Sequence, residues 1–174
     1  RPILSTLDQT FSYFLNDMGA RHIVFAAFQG AGFGDEKRYW EPSRSELEQA
    51  FKWRAQRLGD ENLLRTGISD ASKFFCKGYL GVTYHGDVLP CLVVRDLPAG
   101  NIFEKSLVDI FNGNRDALLF NFPVKGFCGE GCENRDVCFG CRSDAYFYTG
   151  DIQESDPKCW LNPTDVREQY LPAK

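Results

Sequence analysis

The sequence predicts an α+β protein made of two unlike parts. Residues 1–72 contain no cysteine, and helix-like patterns alternate there with strand-like ones. From residue 73 onwards a predicted β-hairpin is followed mainly by loops, and all seven cysteines lie between Cys76 and Cys159. With 43% hydrophobic and 25% charged residues, the 174-residue chain has the composition of a globular protein.

The first part begins with an amphipathic helix. Its apolar residues recur at helical spacing behind Ser5 or Thr6 as the N-cap, and Gly19 is placed to end the helix. The residues of this stripe are Leu7, Phe11, Phe14, Leu15 and Met18. A nearly continuous apolar run at 22–28 then predicts a strand buried on both faces, and the glycine-rich segment 29–34 predicts a loop.

A second helix follows, because Ser43 and Glu46 have the spacing of a capping box and Gly59 is placed to end it. Its predicted buried stripe is Leu47, Ala50, Phe51, Ala55 and Leu58. Residues 63–66 predict another short strand. The order α-β-α-β is typical of an α/β layer or barrel, and these elements are too few to close a barrel. We therefore expect partner elements from further N-terminal sequence; the alternative is a small, self-contained α/β unit packed on the cysteine-rich part.

The second part opens with two predicted strands, 79–84 and 87–94, on either side of a two-residue turn at His85 and Gly86. The segments 97–101 and 126–140 predict loops. A short helix capped by Ser106 and one or two helical turns at 142–149, ending at Gly150, complete this part. The buried residues expected in the helix are Leu107, Ile110 and Phe111. Since regular structure is scarce here, we expect metal or disulfide bonds to hold this part together.

Charge and hydropathy exclude several classes of partner. The net charge is −4 and the sequence pI about 5.2, which argues against nucleic acid because phosphate binding needs a basic surface. No apolar run approaches the roughly 20 residues of a membrane-spanning helix. The first fifteen residues lack the pattern of a secretory signal. The sequence therefore predicts a cytoplasmic protein without a membrane span.

The cysteine spacing is the most informative pattern. It runs Cys76-x9-Gly86-x4-Cys91, then Cys128-x3-Cys132-x5-Cys138-x2-Cys141, then Cys159. An odd number of cysteines, four of them within fourteen residues, argues against a disulfide framework. One tetrahedral zinc site would use four thiolates and leave three. Two iron–sulfur clusters would use all seven, and a three-cysteine cluster with one open iron is chemically sensible.

This pattern resembles the seven-cysteine SPASM domain of radical S-adenosylmethionine enzymes. The stretch GDVLPC at 86–91 looks like the hairpin that opens that domain, and GNIFEKSLVDIF at 100–111 looks like its helix entry. The segments 138–151 and 155–160 resemble its end. The resemblance covers 76–160. One departure is visible: the outer gaps of the cysteine block are x3 and x2, where the family most often has x2 and x3.

The resemblance implies a domain organisation. Residues 1–72 would be the C-terminal part of a partial (β/α)6 barrel, 73–162 the SPASM domain with its auxiliary iron–sulfur clusters, and 163–174 a C-terminal tail. The Cys-x3-Cys-x2-Cys loop that holds the S-adenosylmethionine-cleaving cluster is absent from this sequence. We therefore expect S-adenosylmethionine and a third 4Fe–4S cluster only in a missing N-terminal part, and no radical chemistry from this chain alone. If the barrel is present, Gln29 and Phe33 become candidate substrate contacts.

The resemblance also implies a function. The chain would be the auxiliary-cluster portion of a peptide- or protein-modifying enzyme, with roles in substrate binding and electron transfer. Two 4Fe–4S clusters are expected. The first would be held by Cys76, Cys91 and Cys141, and the second by Cys128, Cys132, Cys138 and Cys159. No catalytic residue is predicted.

The expected partners are a peptide or protein substrate, a reductant such as flavodoxin or ferredoxin, and the missing half of the barrel. Two other functions remain open from the sequence. One is a zinc-stabilised, non-catalytic binding module. The other is a stand-alone iron–sulfur electron-transfer subunit that works with a separate catalytic chain.

Overall fold

The protein combines short helices with one small antiparallel sheet, which confirms the α+β class. The computed structural model describes residues 3–30, 32–68 and 72–163, so that 164–174 of the predicted tail lie outside the described residues. The α-helices and strands are α1 (Leu7–Ser12), α2 (Arg44–Leu58), α3 (Lys73–Cys76), β1 (Gly81–Val82), β2 (Asp87–Leu89), β3 (Gly100–Asn101), α4 (Leu107–Gly113), α5 (Arg115–Leu118) and α6 (Arg142–Thr149).

The first predicted helix is present and is continued at both ends. A 3₁₀ turn, Leu4–Thr6, leads into α1, and a π-helical turn, Tyr13–Asp17, follows it. Phe11 is the fully buried residue of this stretch, and its ring meets those of Phe25 at 5.4 Å and Trp53 at 4.7 Å. The prediction of a buried stripe is therefore confirmed for Phe11 at its centre. It is wrong for the C-terminal members Phe14 and Met18, which are exposed.

Helix α2 forms as the sequence predicts. The N–H of Glu46 donates to the Ser43 hydroxyl at 3.2 Å, and the N–H of Ser43 donates to the Glu46 carboxylate at 2.6 Å. Gly59 ends the helix with a φ of 67°, in the left-handed region that favours glycine. The stripe is buried except for Leu58, and its Leu47 and Phe51 form a small core with Ile68.

The two strands predicted in the first part are not confirmed. Residues 63–66 lie in a 3₁₀ helix, Glu61–Thr66, because the Asp60 carboxylate caps its first turn by accepting the N–H of Asn62 at 3.0 Å. Residues 22–28 form no regular strand, and only Ala26 makes an isolated bridge. The segment Gly32–Trp40, whose first three residues are predicted as loop, is 3₁₀ helix with a kink at Lys37. A barrel fragment is therefore not confirmed.

The hairpin is present but differs in length and turn. β1 pairs antiparallel with β2 in the register Val82 to Val88, and the N–H of Thr83 donates to the carbonyl of Asp87 at 2.9 Å. Three residues, 84–86, therefore make the turn instead of two. Gly86 adopts a φ of 88°, which fits a three-residue loop closed by a left-handed residue.

The segment 97–101, predicted to be loop, ends in a third strand. β3 pairs antiparallel with β2, with Val88 opposite Gly100. Gly100 is needed at this place because a Cβ would lie 3.1 Å from Ile110 of α4. Val88, Ile110 and Leu118 of α5 form a second small core. Ser106 caps α4 as predicted, whereas Leu107 is exposed and not buried.

The two parts of the chain pack together through the segment after α6. The Trp160 ring contacts that of Phe51 at 5.3 Å, and the Arg44 guanidinium donates to the carbonyl of Trp160 at 3.0 Å. The Tyr148 hydroxyl donates to the Glu41 carboxylate at 2.5 Å. These contacts set the position of the first part relative to the cysteine-bearing part. Across 3–30, 32–68 and 72–163, no helix has both the length and the apolar character to cross a membrane.

The capping box offers a direct test of α2. We expect Ser43→Ala to lower the free energy of unfolding by about 1 kcal/mol, because the N–H of Glu46 loses its acceptor. Urea unfolding measures the change. The control is Gln56→Ala on the exposed face of the same helix, for which we expect a change within about 0.5 kcal/mol. Equal effects from both substitutions would contradict the assigned cap.

Candidate metal centre

All seven cysteines are free thiols, so the structure contains no disulfide bond among them. Cys128 and Cys159 are buried, and the other five are partly buried. Among the described residues, no three His, Cys, Asp or Glu side chains form a group that could hold a metal ion as the side chains stand. The electrostatic influence of the thiols on one another nevertheless sorts them into two neighbourhoods.

The first neighbourhood contains Cys76, Cys91 and Cys141, with Tyr79 among them. Burial raises the pKa of Cys76 to about 11, and the nearby Cys91 contributes to that rise. The pKa of Tyr79 is raised by burial and by all three of these thiols, and its hydroxyl is hydrogen-bonded to Cys91. Cys76 ends α3, Cys91 follows β2, and Cys141 caps α6. Three separate elements thus bring these thiols around one tyrosine.

The second neighbourhood contains Cys128, Cys132, Cys138 and Cys159. Burial raises the pKa of Cys138 to about 11, with further contributions from Cys128 and Cys132. The pKa of Cys159 is raised by burial, by Asp156, and by Cys128 and Cys138. Each thiol is therefore close enough to at least one of the others to oppose its ionisation.

A π-helical turn, Phe127–Gly131, contains Cys128 and ends at Cys132. The N–H of Cys132 donates to the carbonyl of Phe127 at 2.8 Å, a bond that spans five residues where an α-helix spans four. Gly129 lies inside this turn, where a Cβ would stand 1.7 Å from the carbonyl oxygen of Val124. Only glycine fits there, and the turn accommodates the three residues between Cys128 and Cys132.

The short link between Cys138 and Cys141 depends on Gly140. Its φ is 73°, and its N–H donates to the Cys138 sulfur at 3.3 Å. A Cβ at this position would meet Cys128 Sγ at 3.0 Å and Asp156 Cβ at 2.7 Å. The chain therefore reverses tightly at Gly140, which allows Cys138 and Cys141 to belong to different neighbourhoods.

Asp156 connects the cysteine block to the last cysteine. Its carboxylate is almost fully buried and accepts the N–H of Cys141 and the N–H of Lys158, each at 2.9 Å. Since Cys159 follows Lys158, one carboxylate fixes the backbone beside both thiols. Sequence reasoning missed this residue, although an aspartate before proline in SDPKC is a typical start of a turn.

Arg142 holds the loops around the block. Its buried guanidinium donates to the backbone carbonyls of Gly140 at 3.3 Å, Ile152 at 2.9 Å and Glu154 at 2.8 Å, and also to that of Phe139. All of these bonds go to backbone carbonyls. The positive charge of Arg142 also opposes the rise in the pKa values of Cys76 and Cys128, so it lies near both thiols.

Asp144 and Lys158 form a buried pair beside Cys141. Burial raises the pKa of Asp144 to about 7, and Lys158, with its Nζ 3.9 Å from Asp144 Oδ1, acts in the opposite direction. Lys158 also donates to the carbonyl of Phe28 at 2.5 Å. The pair therefore connects α6 and the end of the cysteine-bearing part to the segment that precedes α2.

The donor set fits iron–sulfur clusters. Soft thiolates are the usual protein ligands of such clusters, and all seven are available because none is spent in a disulfide. The sequence-based candidate Gln29 lines a cavity of which Cys141 also forms part, whereas Phe33 is fully exposed.

The comparison with protein families decides what this region is. Residues 74–142 match the family model SPASM, described as an iron–sulfur cluster-binding domain. These residues form a SPASM domain. Curated relatives extend the match over a larger share of the chain, and the resemblance to the C-terminal part of radical S-adenosylmethionine enzymes is confirmed.

Two kinds of relative are found. The chain is 36% identical over 114 residues to the AdoMet-dependent heme synthase of Methanosarcina barkeri, covering 63% of this chain and 32% of that protein. It is 32% identical over 99 residues to the PqqA peptide cyclase of Methylocella silvestris, with 51% and 25% covered. For the PqqA peptide cyclase of Streptomyces rochei the identity is 36% over 92 residues, with 48% and 24% covered. The chain thus spans about a quarter to a third of these relatives.

The carboxylate of Asp156 provides a test of this architecture. We expect Asp156→Ala to lower the free energy of unfolding by about 2–5 kcal/mol, because two buried N–H groups lose their acceptor. Urea unfolding of the chain measures it. The control is Asp151→Ala, whose partly exposed carboxylate pairs with Lys125 and accepts the N–H of Gln153, so that its loss costs about 1–2 kcal/mol. An Asp156 variant as stable as the Asp151 variant would contradict the role assigned to Asp156.

Proposed function

We propose that this chain is the auxiliary-cluster portion of a radical S-adenosylmethionine enzyme that modifies a peptide or protein. The observation that carries the proposal is the presence of seven free thiols in a chain whose residues 74–142 match an iron–sulfur cluster-binding domain. Bound 4Fe–4S clusters would supply one-electron transfer at this place. The protein's own contribution is to hold the thiolates, exclude water from them, and position a substrate beside them.

The proposed ligands follow the two neighbourhoods. Cys76, Cys91 and Cys141 would hold a cluster with one iron free of cysteine. The other cluster would be held by the remaining four thiols, which are Cys128, Cys132, Cys138 and Cys159. Support comes from the mutual effects of the six thiols other than Cys141 on their pKa values, from the shared effect of Cys76, Cys91 and Cys141 on the pKa of Tyr79, and from the tight turn at Gly140.

The peptide substrate is supported by the relatives named PqqA peptide cyclase. The relatives named AdoMet-dependent heme synthase raise a second class of substrate, a tetrapyrrole.

The remaining parts of the proposal concern the whole enzyme. Residues 1–72 would be the C-terminal part of a barrel whose N-terminal part binds S-adenosylmethionine and a third 4Fe–4S cluster, and residues 73–162 would form the auxiliary domain. Electron flow through two clusters requires an external reductant such as flavodoxin or ferredoxin. Seven unpaired thiols support a reducing compartment, the cytoplasm, as its location.

Metal content tests the proposal directly. Protein produced and purified without oxygen should contain iron and acid-labile sulfide in near-equal amounts, approaching two clusters per chain, because seven thiolates suffice for two. Iron and sulfide assays with Mössbauer spectroscopy measure both. A colourless preparation that holds stoichiometric zinc after anaerobic reconstitution would instead support the zinc-stabilised module and contradict the iron–sulfur assignment.

Two matched substitutions test the division of ligands. Cys159→Ala should remove most of the iron of the four-cysteine cluster and leave the other, whereas Cys76→Ala should do the reverse. Electron paramagnetic resonance of the reduced variants distinguishes the two signals. Loss of the same signal from both variants would show that Cys76 and Cys159 bind one cluster, and the proposed division would then be wrong.

A further inference from the structure

Two of the three thiols in the first neighbourhood lie beside side-chain hydroxyls. One is Cys141, whose sulfur is 3.1 Å from the Ser143 hydroxyl. Ser143 is the second residue of α6 and is only 6% exposed, so bulk water competes little for its proton. Burial raises the pKa of the Cys141 thiol, and the bond from Ser143 acts in the opposite direction, as a donor to the sulfur does. Since a thiolate bound to iron has no proton to give, the hydroxyl is the donor in a loaded site.

Strand pairing brings the second hydroxyl, that of Tyr79, to Cys91. β1 and β2 pair with Gly81 opposite Leu89. Carried two residues beyond the ends of the strands, the same antiparallel register sets Tyr79 opposite Cys91, and side chains of directly opposite residues lie on the same face. The Tyr79 hydroxyl is accordingly within hydrogen-bonding reach of the Cys91 sulfur.

Tyr79 also follows Cys76 by three residues. The turn between them is helical, because the N–H of Gly78 donates to the carbonyl of Phe75 at 2.9 Å. Residues three apart on a helical turn are neighbours, which brings the phenol to Cys76. Burial raises the pKa of Tyr79, and the three thiols of this neighbourhood raise it further. The phenol therefore keeps its proton beside them and is suited to donate a hydrogen bond instead of binding iron as a phenolate.

The sulfurs of the second neighbourhood receive their hydrogen bonds from the backbone. The N–H of Gly140 donates to Cys138 Sγ at 3.3 Å. Burial raises the pKa of Cys159, and the N–H of Leu161 opposes that rise, as a donor to the sulfur does. Since every residue except proline has a backbone N–H, these donors do not depend on the identity of a side chain.

Cys128 is bonded in the same way. Burial raises its pKa, and the N–H of Asp156 acts in the opposite direction. The Ser155 hydroxyl is also near this thiol, but it donates to the carbonyl of Lys125 at 2.8 Å and so has no proton left for the sulfur. The hydroxyl donors that we identify in the described part of the chain thus belong to the first neighbourhood.

A hydrogen bond to a ligating sulfur makes a cluster easier to reduce. The bond withdraws electron density from the sulfur, so it stabilises the more negative, reduced state more than the oxidised state. A side-chain hydroxyl in this position therefore allows a single residue to set how readily the cluster accepts an electron.

We propose that Tyr79 and Ser143 donate hydrogen bonds to Cys91 and Cys141 when these thiolates hold a cluster, and thereby raise its reduction potential. This inference rests on the proposed function, because it requires the three-cysteine cluster. Tyr79 and Ser143 are positioning residues: each acts through a cysteine, and they neither bind iron nor take part in a chemical step.

The test compares Tyr79→Phe and Ser143→Ala in the full chain after anaerobic loading with iron and sulfide. Dithionite supplies the electrons in a redox titration, and electron paramagnetic resonance follows each cluster; the signal missing from Cys76→Ala belongs to the three-cysteine cluster. At a fixed solution potential near its midpoint, we expect the reduced-to-oxidised ratio of this cluster to fall about 3- to 10-fold for each lost hydroxyl. The four-cysteine cluster of the same samples should keep its ratio. Both clusters should keep theirs in the control Tyr84→Phe, because Tyr84 is 87% exposed at the hairpin turn.

Ser143→Thr restores a hydroxyl and should return the ratio towards that of the unmodified chain, which a structural role alone would not do. Unchanged ratios in both variants, equal shifts in the two clusters, or failure of both variants to bind iron would overturn the inference. Phenolate vibrations in the resonance Raman spectrum of the loaded chain would also overturn it, because they would place Tyr79 on the iron.

If only one variant loses the cluster, the other decides, since the two hydroxyls act on different thiols. An unmodified chain that binds no iron and sulfide contradicts the proposed function and this inference with it. Loaded clusters with unshifted ratios contradict this inference alone.

Discussion

The cysteine-bearing part depends above all on the buried carboxylate of Asp156. This group accepts the N–H of Cys141 and of Lys158, each at 2.9 Å, and so links the cysteine block to the backbone beside Cys159. The guanidinium of Arg142 then joins the same loops through their carbonyls. Strands here are two or three residues long and most helices are short, so backbone ladders cannot position the thiols. A few buried side chains that bond to the backbone do so instead.

The same region also holds the first part of the chain in place. Lys158 reaches across to the carbonyl of Phe28, and Glu41 accepts both the Tyr148 hydroxyl and the N–H of Gly30. These bonds are buried, so each would cost considerably more to break than an exposed pair. One set of side-chain bonds therefore holds the first part of the chain against the cysteine-bearing part.

Sequence reasoning succeeded where the decisive signal is local. The capping box at Ser43, the cap at Ser106 and the end of α6 at Gly150 depend on neighbouring residues alone, and all three are present. The prediction of a strand at 22–28 was wrong because an apolar run indicates burial but does not show whether another strand is available to pair with it. The prediction of a strand at 63–66 was wrong because the Asp60 side chain caps a helical turn there. Asp156 and Lys158 were missed because each makes one bond to a residue distant in sequence, Asp156 to Cys141 and Lys158 to Phe28.

The unusual spacing of the cysteine block has a physical explanation in two compensating turns. One extra residue between Cys128 and Cys132 enters a π-helical turn, which by its nature holds one more residue than an α-helical turn. One residue fewer between Cys138 and Cys141 is possible because Gly140 is left-handed. The two changes cancel, so Cys128 and Cys141 keep the separation found in the commonest pattern of the family. The departure therefore shifts only Cys132 and Cys138 along the chain, while the ends of the block stay where Asp156 and Ser155 bind the N–H groups of Cys141 and Cys128.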